Sequence, residues 1–309
     1  MSDRARVAIL LATHQGERYL DEQLATLLGQ QDVDIRIVVS DDASTDGTGA
    51  ILDAHRHDGR ITVLPPQRFG SPQGNFLRLV READLDGVDF VALADQDDRW
   101  HLDKLARQTT LLRSVGADAV SSDVVAFWGD GPVPEKTTVL RKSEPQRAFD
   151  YLLESAGPGC TFVVTIDAFS VVREIVSDPA KVDPRVPHDW LIYAIVRATG
   201  RRWHIDREPT LDYRQHGENA TGANVGMRQA LVRARRLASG EYRVQCAAVA
   251  ATTAQLAGGA LGARLAELAR LFQRTDLRAR LALLRHAPEL RRERMERWML
   301  RVALLLGVW

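Results

Sequence analysis

Residues 35–48 read IRIVVSDDASTDGT. Ile35–Ser40 reads as a strand. Asp41 and Asp42 stand at its end, then Ser44, Thr45 and Asp46, and Thr48 opens a helix-like stretch to His55. The same order of strand, polar turn and helix recurs on either side. Val7–Ala12 is continuously apolar and is followed by Leu20, Leu24, Leu27 and Leu28 at helical spacing. Ile61–Leu64, a helix over Gly74–Ala83 and a strand over Phe90–Ala94 continue the series. This alternation specifies an α/β fold, a mostly parallel sheet flanked by helices, and such sheets bind ligands beyond the carboxyl ends of their strands.

From Leu102 the pattern loosens. It predicts a helix to Val115, a strand over Ala119–Phe127, a turn-rich stretch Gly129–Pro134 and a helix around Gln146–Leu153. A strand Thr161–Thr165, a helix His188–Thr199 and a strand near Leu211–Arg214 follow, and beyond Gly222 strand signals stop. The expected organisation is an α/β domain over residues 1–222, with halves at about 1–100 and 101–222, and a helical C-terminal appendage over 223–309.

Of 309 residues, 45% are hydrophobic and 27% charged, an ordinary globular composition. Lys+Arg 41 balances Asp+Glu 41, so no overall field marks a nucleic-acid binder. The balance conceals an asymmetry: from Arg228 onward there are sixteen arginines, no lysine and six acids. An acidic body carries a basic tail. Two cysteines, Cys160 and Cys246, exclude a disulfide-stapled scaffold and a Cys-rich zinc module, and suit a reducing cytoplasm. The apolar run Val7–Ala12 is too short for a signal peptide. Val244–Ala263 holds no charge, but its Ala, Gly, Thr and Gln give little membrane drive, so it reads as a buried or interhelical helix.

Acids gather where two strands end. Asp46 and Thr48 suit a turn and helix cap, but two adjacent carboxylates, Asp41 and Asp42, exceed what one cap needs. Asp95-Gln96-Asp97-Asp98 follows the strand Phe90–Ala94. Three carboxylates so close repel unless a cation neutralises them, and Asp-x-Asp suits a hard divalent ion that also meets substrate phosphates. G-x-G-x-x-G between strand and helix is absent, as is G-x-x-x-x-G-K-[ST], which argues against dinucleotide oxidoreduction and P-loop hydrolysis.

LATHQGERYLDEQLATLLGQ (11–30), VVSDDASTDGT (38–48) and ALADQDDRWHLDKL (92–105) resemble the nucleotide-binding half of family 2 glycosyltransferases of the GT-A fold, nearest to bacterial rhamnosyltransferase-like enzymes of surface-polysaccharide assembly. The resemblance spans about residues 5–220. It implies an inverting transfer from a nucleotide-diphosphate sugar to an acceptor hydroxyl, assisted by Mg2+ or Mn2+. It places Thr13 beside the nucleotide and Asp42, or else Asp41, on the pyrimidine N–H. Asp97 becomes a direct metal ligand, and Asp95 faces the ribose or the metal. The chain departs from the family where His14-Gln15 replaces a common Tyr-Asn and where Arg68-Phe69-Gly70 replaces an Asn-x-Gly phrase.

An attacking hydroxyl must lose its proton, so a base is needed. Pro187-His188-Asp189-Trp190 resembles the family's acidic motif at a helix start, which makes Asp189 the base and His188 the alternative. Tyr213-Arg214-Gln215-His216-Gly217-Glu218-Asn219 resembles the segment that closes over the pyrophosphate, with His216 a third metal ligand or phosphate donor and Arg214 a partner of phosphate oxygens. Asn219 is either a loop cap or a substrate contact. Gly159, in Gly157-Pro158-Gly159, Trp100 and Trp190 are acceptor candidates, against the plainer readings of a turn and of core aromatics. Cys160 reads as a buried thiol.

The implied donor is a nucleotide-diphosphate deoxyhexose such as dTDP-rhamnose, with a UDP-hexose as the alternative, and the acceptor is a glycan or a lipid-linked glycan. A non-catalytic glycan- or lipid-binding protein of the same fold is the competing class. In the tail, Leu277, Leu281 and Leu284, and then Trp298, Val302, Leu305 and Trp309, form helical stripes beside arginines that include Arg291, Arg292, Arg294 and Arg297. Such helices suit an anionic membrane surface, or else pack on protein. The expected location is cytoplasmic, peripheral at the inner face of the cell membrane.

Overall fold

Nine residues, Ala5–Thr13, form β1, and every one except Arg6 is buried. In the computed structural model, which describes residues 4–216 and 239–309, β1 lies between two parallel neighbours, β2 (Val33–Asp41) and β4 (Phe90–Ala94). A strand paired on both edges and covered on both faces has no polar side, which is why Val7–Ala12 is continuously apolar rather than alternating.

The chain divides into two units. The first comprises Met1–Ser143, Gly157–Ser177 and Arg202–Ala223. Its main sheet has the order β10-β6-β9-β4-β1-β2-β3, where β3 is Ile61–Val63, β6 Ala119–Ser122, β9 Val163–Thr165 and β10 Trp203–Asp206. All pairings are parallel except those of β9, which runs antiparallel between β4 and β6. The helices are α1 (Leu20–Leu28), α2 (Thr48–Ala54), α3 (Pro72–Glu82), α4 (Lys104–Val115) and α5 (Ile166–Val176). Thr13 is level with Asp41, and Leu11 with Ala94, so both acid clusters emerge at one sheet edge.

A second sheet has the order β5-β11-β7-β8, from Arg99–Trp100, Leu211–Gln215, Val124–Trp128 and Lys136–Leu140. The single strand expected over Ala119–Phe127 is therefore two. Asp123 breaks it: its buried carboxylate accepts bonds from the amides of Lys142 and Ser143 and from Ser143 Oγ (2.9 Å), and the chain passes from the large sheet into the small one. β5, β8, β10 and α5 were not legible in the pattern; β8 leaves most of its residues at least partly exposed and has no apolar face to reveal it.

The second unit comprises Glu144–Ala156, Asp178–Arg201 and Asn224–Trp309. Its described helices are α6 (His188–Ala198), α7 (Glu241–Leu256), α8 (Gly259–Phe272), α9 (Leu277–Leu290) and α10 (Arg294–Leu306). The uncharged run Val244–Ala263 is split between α7 and α8, and no helix among the described residues is long and apolar enough to cross a membrane. Gly262 is required at the α7–α8 corner, since a Cβ there would meet Ala257 O at 2.1 Å.

The helix expected over Gln146–Leu153 is only a 3-10 turn, Asp150–Leu152, because this segment is organised by buried charge instead. Asp150, fully buried, accepts bonds from Tyr193 Oη (3.0 Å), Arg197 Nη1 (3.3 Å) and Arg292 Nη1 (3.4 Å). Arg292 also donates to Ser155 O and forms an ion pair with Glu154. Removing Asp150 strips Arg197 of its carboxylate partner and leaves Arg292 to Glu154 alone. Asp150→Ala should therefore cost about 3–5 kcal/mol, read from the midpoint of urea unfolding; a loss below ~1 kcal/mol would show the network to be dispensable.

Candidate active site

The site begins at the shared carboxyl edge of β1, β2 and β4. Asn75 of α3 donates its buried amide to Thr13 O (3.1 Å) and Ser40 O (2.9 Å), pinning the first two strands together. Thr13 Oγ1 donates to Asp41 Oδ1 (2.8 Å), and Asp41 also accepts from Ser44 N and Oγ. Asp42, 3% exposed, is saturated differently: the amides of Phe69, Gly70 and Ser71 all donate to its carboxylate. Asp42 thus fixes the turn that leads into α3, and Asp41 is the more open of the two. His14 and Gln15 are also built in. His14 Nδ1 lies 2.8 Å from Asp42 O, and Gln15 Oε1 accepts from Thr45 N (2.7 Å).

Gln96, the middle residue of the acidic triplet, clamps this loop to β4. It accepts from His14 N (2.7 Å) through Oε1 and donates to His14 O (2.9 Å) through Nε2. Gly16 makes the clamp sterically feasible, because a Cβ at that position would meet Gln96 Oε1 at 2.6 Å.

The pairing of β5 with β11 brings the distant segment 211–216 to the acids. Leu211 pairs with Trp100 and Asp212 with Arg99, so the chain beyond runs back along Asp98 and Asp97. His216 Nε2 meets Asp97 Oδ2 at 2.7 Å, and the His216 ring lies against Tyr19 (5.1 Å between centroids). Arg214 N donates to Asp98 Oδ1 (3.1 Å) and Arg214 Nε to Asp97 O (2.7 Å).

The guanidinium of Arg214 is 1% exposed, sits over the rings of Tyr19 (4.4 Å) and Phe127 (4.6 Å), and is ion-paired with Glu22. The expected phosphate partner is therefore a brace, buried beneath the acidic loop. Asp98 is wholly buried, and burial together with Asp97 and Asp95 pushes its carboxyl well above the usual range. Burial pushes the amine of Lys104 down to about 7, and it lies over Trp100 (4.5 Å). Burial, then Asp98 and Asp95, also holds the Cys160 thiol protonated.

Asp95, Asp98 and Cys160 bring ligand atoms within 4.8 Å of one another, and Asp97 with His216 forms the neighbouring pair. Among the described residues Asp97 and His216 do not join that cluster; its carboxylates suit Mg2+ or Mn2+ better than a thiolate metal, and Cys160 is the member least suited to either ion. Sequence reasoning missed Tyr19, Glu22, Gln96 and Lys104; only Gln96, inside the triplet, carried a signal.

The remaining candidates divide by burial. Trp100 is 3% exposed and Gly159 lies in a buried turn, Gly159–Thr161, so neither offers a surface to an acceptor. In the second unit, Trp190 donates to Tyr151 O (2.8 Å) and stacks on Tyr242 (5.7 Å), a core role rather than a sugar platform. Asp189, half-buried in the first turn of α6, accepts from Trp190 N (2.7 Å). Burial pushes His188 down to about 3. Gly217, Glu218 and Asn219 lie outside the described residues, as does the boundary near Gly222.

Residues 8–170 match the family model described as Glycosyl transferase family 2, and the chain is 36% identical over 222 residues to dTDP-rhamnosyl transferase RfbG of Shigella flexneri, covering 71% of this chain and 75% of that one. The chain is a family 2 glycosyltransferase. It is also 28% identical over 164 residues to TuaG of Bacillus subtilis, a putative teichuronic acid biosynthesis glycosyltransferase, covering 51% of this chain and 61% of the relative. Among solved structures, S. aureus TarS 1-349 in complex with UDP-GlcNAc aligns with a TM-score of 0.59 at 15% identity, over 98% of this chain and 82% of that one. The mannosyltransferase PcManGT from Pyrobaculum calidifontis, in complex with GDP-Man and Mn2+, aligns with 0.52 at 17% identity, over 99% and 86%. The architecture of this glycosyltransferase is the GT-A fold.

The bracing role of Arg214 is testable without substrate. Arg214→Lys keeps a charge but loses the planar fork that reaches Asp97 O and Glu22 at once. It should lower unfolding stability by about 2–4 kcal/mol, whereas Arg18→Lys, at an exposed pair with Asp130, should change it by less than ~1 kcal/mol. Equal effects would remove the distinction.

Proposed function

We propose that this glycosyltransferase moves rhamnose from dTDP-rhamnose, with inversion, to a hydroxyl of a glycan or lipid-linked acceptor. The observation that carries the transfer chemistry is the meeting of Asp97 and His216 beside Asp95 at the end of β4. The sugar and nucleotide lean on the likeness to RfbG. Thr13 and Asp41 line the nucleoside, and Asp42 shapes its pocket by holding the 69–71 turn.

Asp97, His216 and Asp95 would hold Mg2+ or Mn2+, which supplies charge neutralisation for the departing diphosphate. Asp189 takes the proton of the acceptor hydroxyl as its oxygen bonds to the anomeric carbon, and the bond from that carbon to the diphosphate oxygen breaks on the opposite face. His188 is the poorer base, since an imidazole held near 3 has little affinity for a proton at neutral pH. Arg214 acts through the loop it braces, not on phosphate. The work is placed on the cytoplasmic side, with the C-terminal helices at the inner face of the membrane.

Two substitutions separate the roles. Asp97→Asn should abolish Mn2+-dependent donor turnover while the fold persists, because one carboxylate no longer neutralises the ion; unchanged turnover at limiting Mn2+ overturns the metal assignment. Asp189→Asn should lower kcat by roughly 10²–10⁴ with dTDP affinity nearly intact; loss of dTDP binding would move Asp189 into the donor site. For the donor itself, a panel of nucleotide sugars is scored with Mn2+ by thermal shift and consumption. A UDP-hexose consumed in preference to dTDP-rhamnose overturns the donor, and binding without consumption of any sugar favours a non-catalytic protein.

A further inference from the structure

The outward face of α10 is apolar. Met295, Trp298, Met299, Val302, Leu305 and Leu306 fall at spacings of three and four and cover roughly a third of the helix circumference. Trp298 is 60% exposed, Leu305 63% and Leu306 71%, whereas Leu300 and Leu304 fill the inward face. A solvent-facing helix surface normally reverses this pattern. Neighbouring α9 repeats it with Leu277 (59% exposed), Leu281 (47%) and the half-buried Leu284. The two helices are tied together where Arg280 Nη1 donates to Leu304 O (3.3 Å).

Exposed arginines border these stripes, and the acids nearby sit at the helix starts, Asp276 at that of α9 and Glu293 and Glu296 at that of α10. Arg294 and Arg301, both exposed, flank the α10 stripe, and exposed Arg278 and Arg285 flank that of α9. Not all of the basic surplus is available outside. Arg292 is 3% exposed and spent on Asp150, Glu154 and Ser155, and Arg291 is held by Tyr242, Glu296 and Glu154. Trp309 is buried against Tyr242 and Phe272, so Trp298 alone of the tail's two tryptophans faces outward.

We infer that the outward face of α9 and α10 docks on an anionic lipid surface, with Trp298, Leu305 and Leu306 entering the headgroup boundary and the four exposed arginines meeting lipid phosphates. The inference rests on the membrane placement in the proposed function and names the surface that achieves it. Charge complementarity selects the occupant. Exposed arginines beside a water-facing apolar stripe match an anionic bilayer on both counts, with lipid phosphate for the charge and the headgroup boundary for the stripe.

Flotation of the full chain with phosphatidylcholine vesicles, with and without phosphatidylglycerol, tests this. Binding should require phosphatidylglycerol and weaken as salt rises. Trp298→Glu with Leu306→Glu should lower vesicle affinity at least about tenfold, and Arg294→Gln with Arg301→Gln about fivefold for each arginine removed. Donor hydrolysis without vesicles should be unchanged in both variants, so a failed surface and a failed donor site give separate readouts. Equal binding to neutral vesicles, undiminished binding by both variants, or a wild-type dimer that Trp298→Glu splits would each overturn the inference, the last by making this face an interface between copies.

Discussion

One buried guanidinium decides the shape of the acidic loop. Asp95, Asp97 and Asp98 would repel one another at the end of a buried strand, and the protein answers from beneath with Arg214. It is sandwiched between Tyr19 and Phe127, anchored by Glu22, and bonded to the backbone of Asp97 and, through its own amide, to the side chain of Asp98. Glu22 is shared with Arg99, which covers the same Phe127 ring (4.7 Å). The acid lowest in the loop, Asp98, thereby takes the structural load. Burial, then Asp97 and Asp95, pushes its carboxyl up, and Asp97 is the acid that meets His216.

β11 is the device that delivers both partners. Its pairing with β5 fixes the register, and Arg214 and His216, two residues apart, approach the same loop at two depths, with buried Tyr213 also close to the acids. Arg214 sits in the interior as a brace, and His216, at the end of the strand, reaches the more accessible carboxylate. A strand places two side chains at this spacing with little freedom. The tie between Gln96 and the His14 backbone does the same from the other side, with Gly16 leaving the room.

Much of this was legible because doubly covered strands cannot hide: Val7–Ala12 and Phe90–Ala94 are apolar throughout, and the acids that follow Ile35–Ser40 and Phe90–Ala94 stand out. What misled was residue type read without burial. Arg214 looked like a phosphate clamp, Trp100 and Trp190 like sugar platforms and Trp309 like an interfacial anchor, yet each is in the interior. A sequence gives the charge or ring but not whether Glu22, Tyr151 or Tyr242 already occupies it. Asp123 shows the converse. It was the visible interruption in Ala119–Phe127, and an acid in mid-strand is itself the mark of a carboxylate needed by backbone amides elsewhere.

The C-terminal helices turn the same argument outward. Arginine appears there in two uses that composition cannot separate. Arg291 and Arg292 enter a buried network with Asp150, Glu154 and Tyr242, where their charge is matched by acids and costs little only because every partner is present. Arg294 and Arg301, a few residues further on, remain at the surface beside an apolar stripe that no described residue covers to the level of a core. Had the surplus served only packing, the inner pair would suffice and the outer face could be polar. An exposed stripe costs solubility and folding specificity unless something is gained from it, and its arginine borders fix what kind of surface could supply that gain.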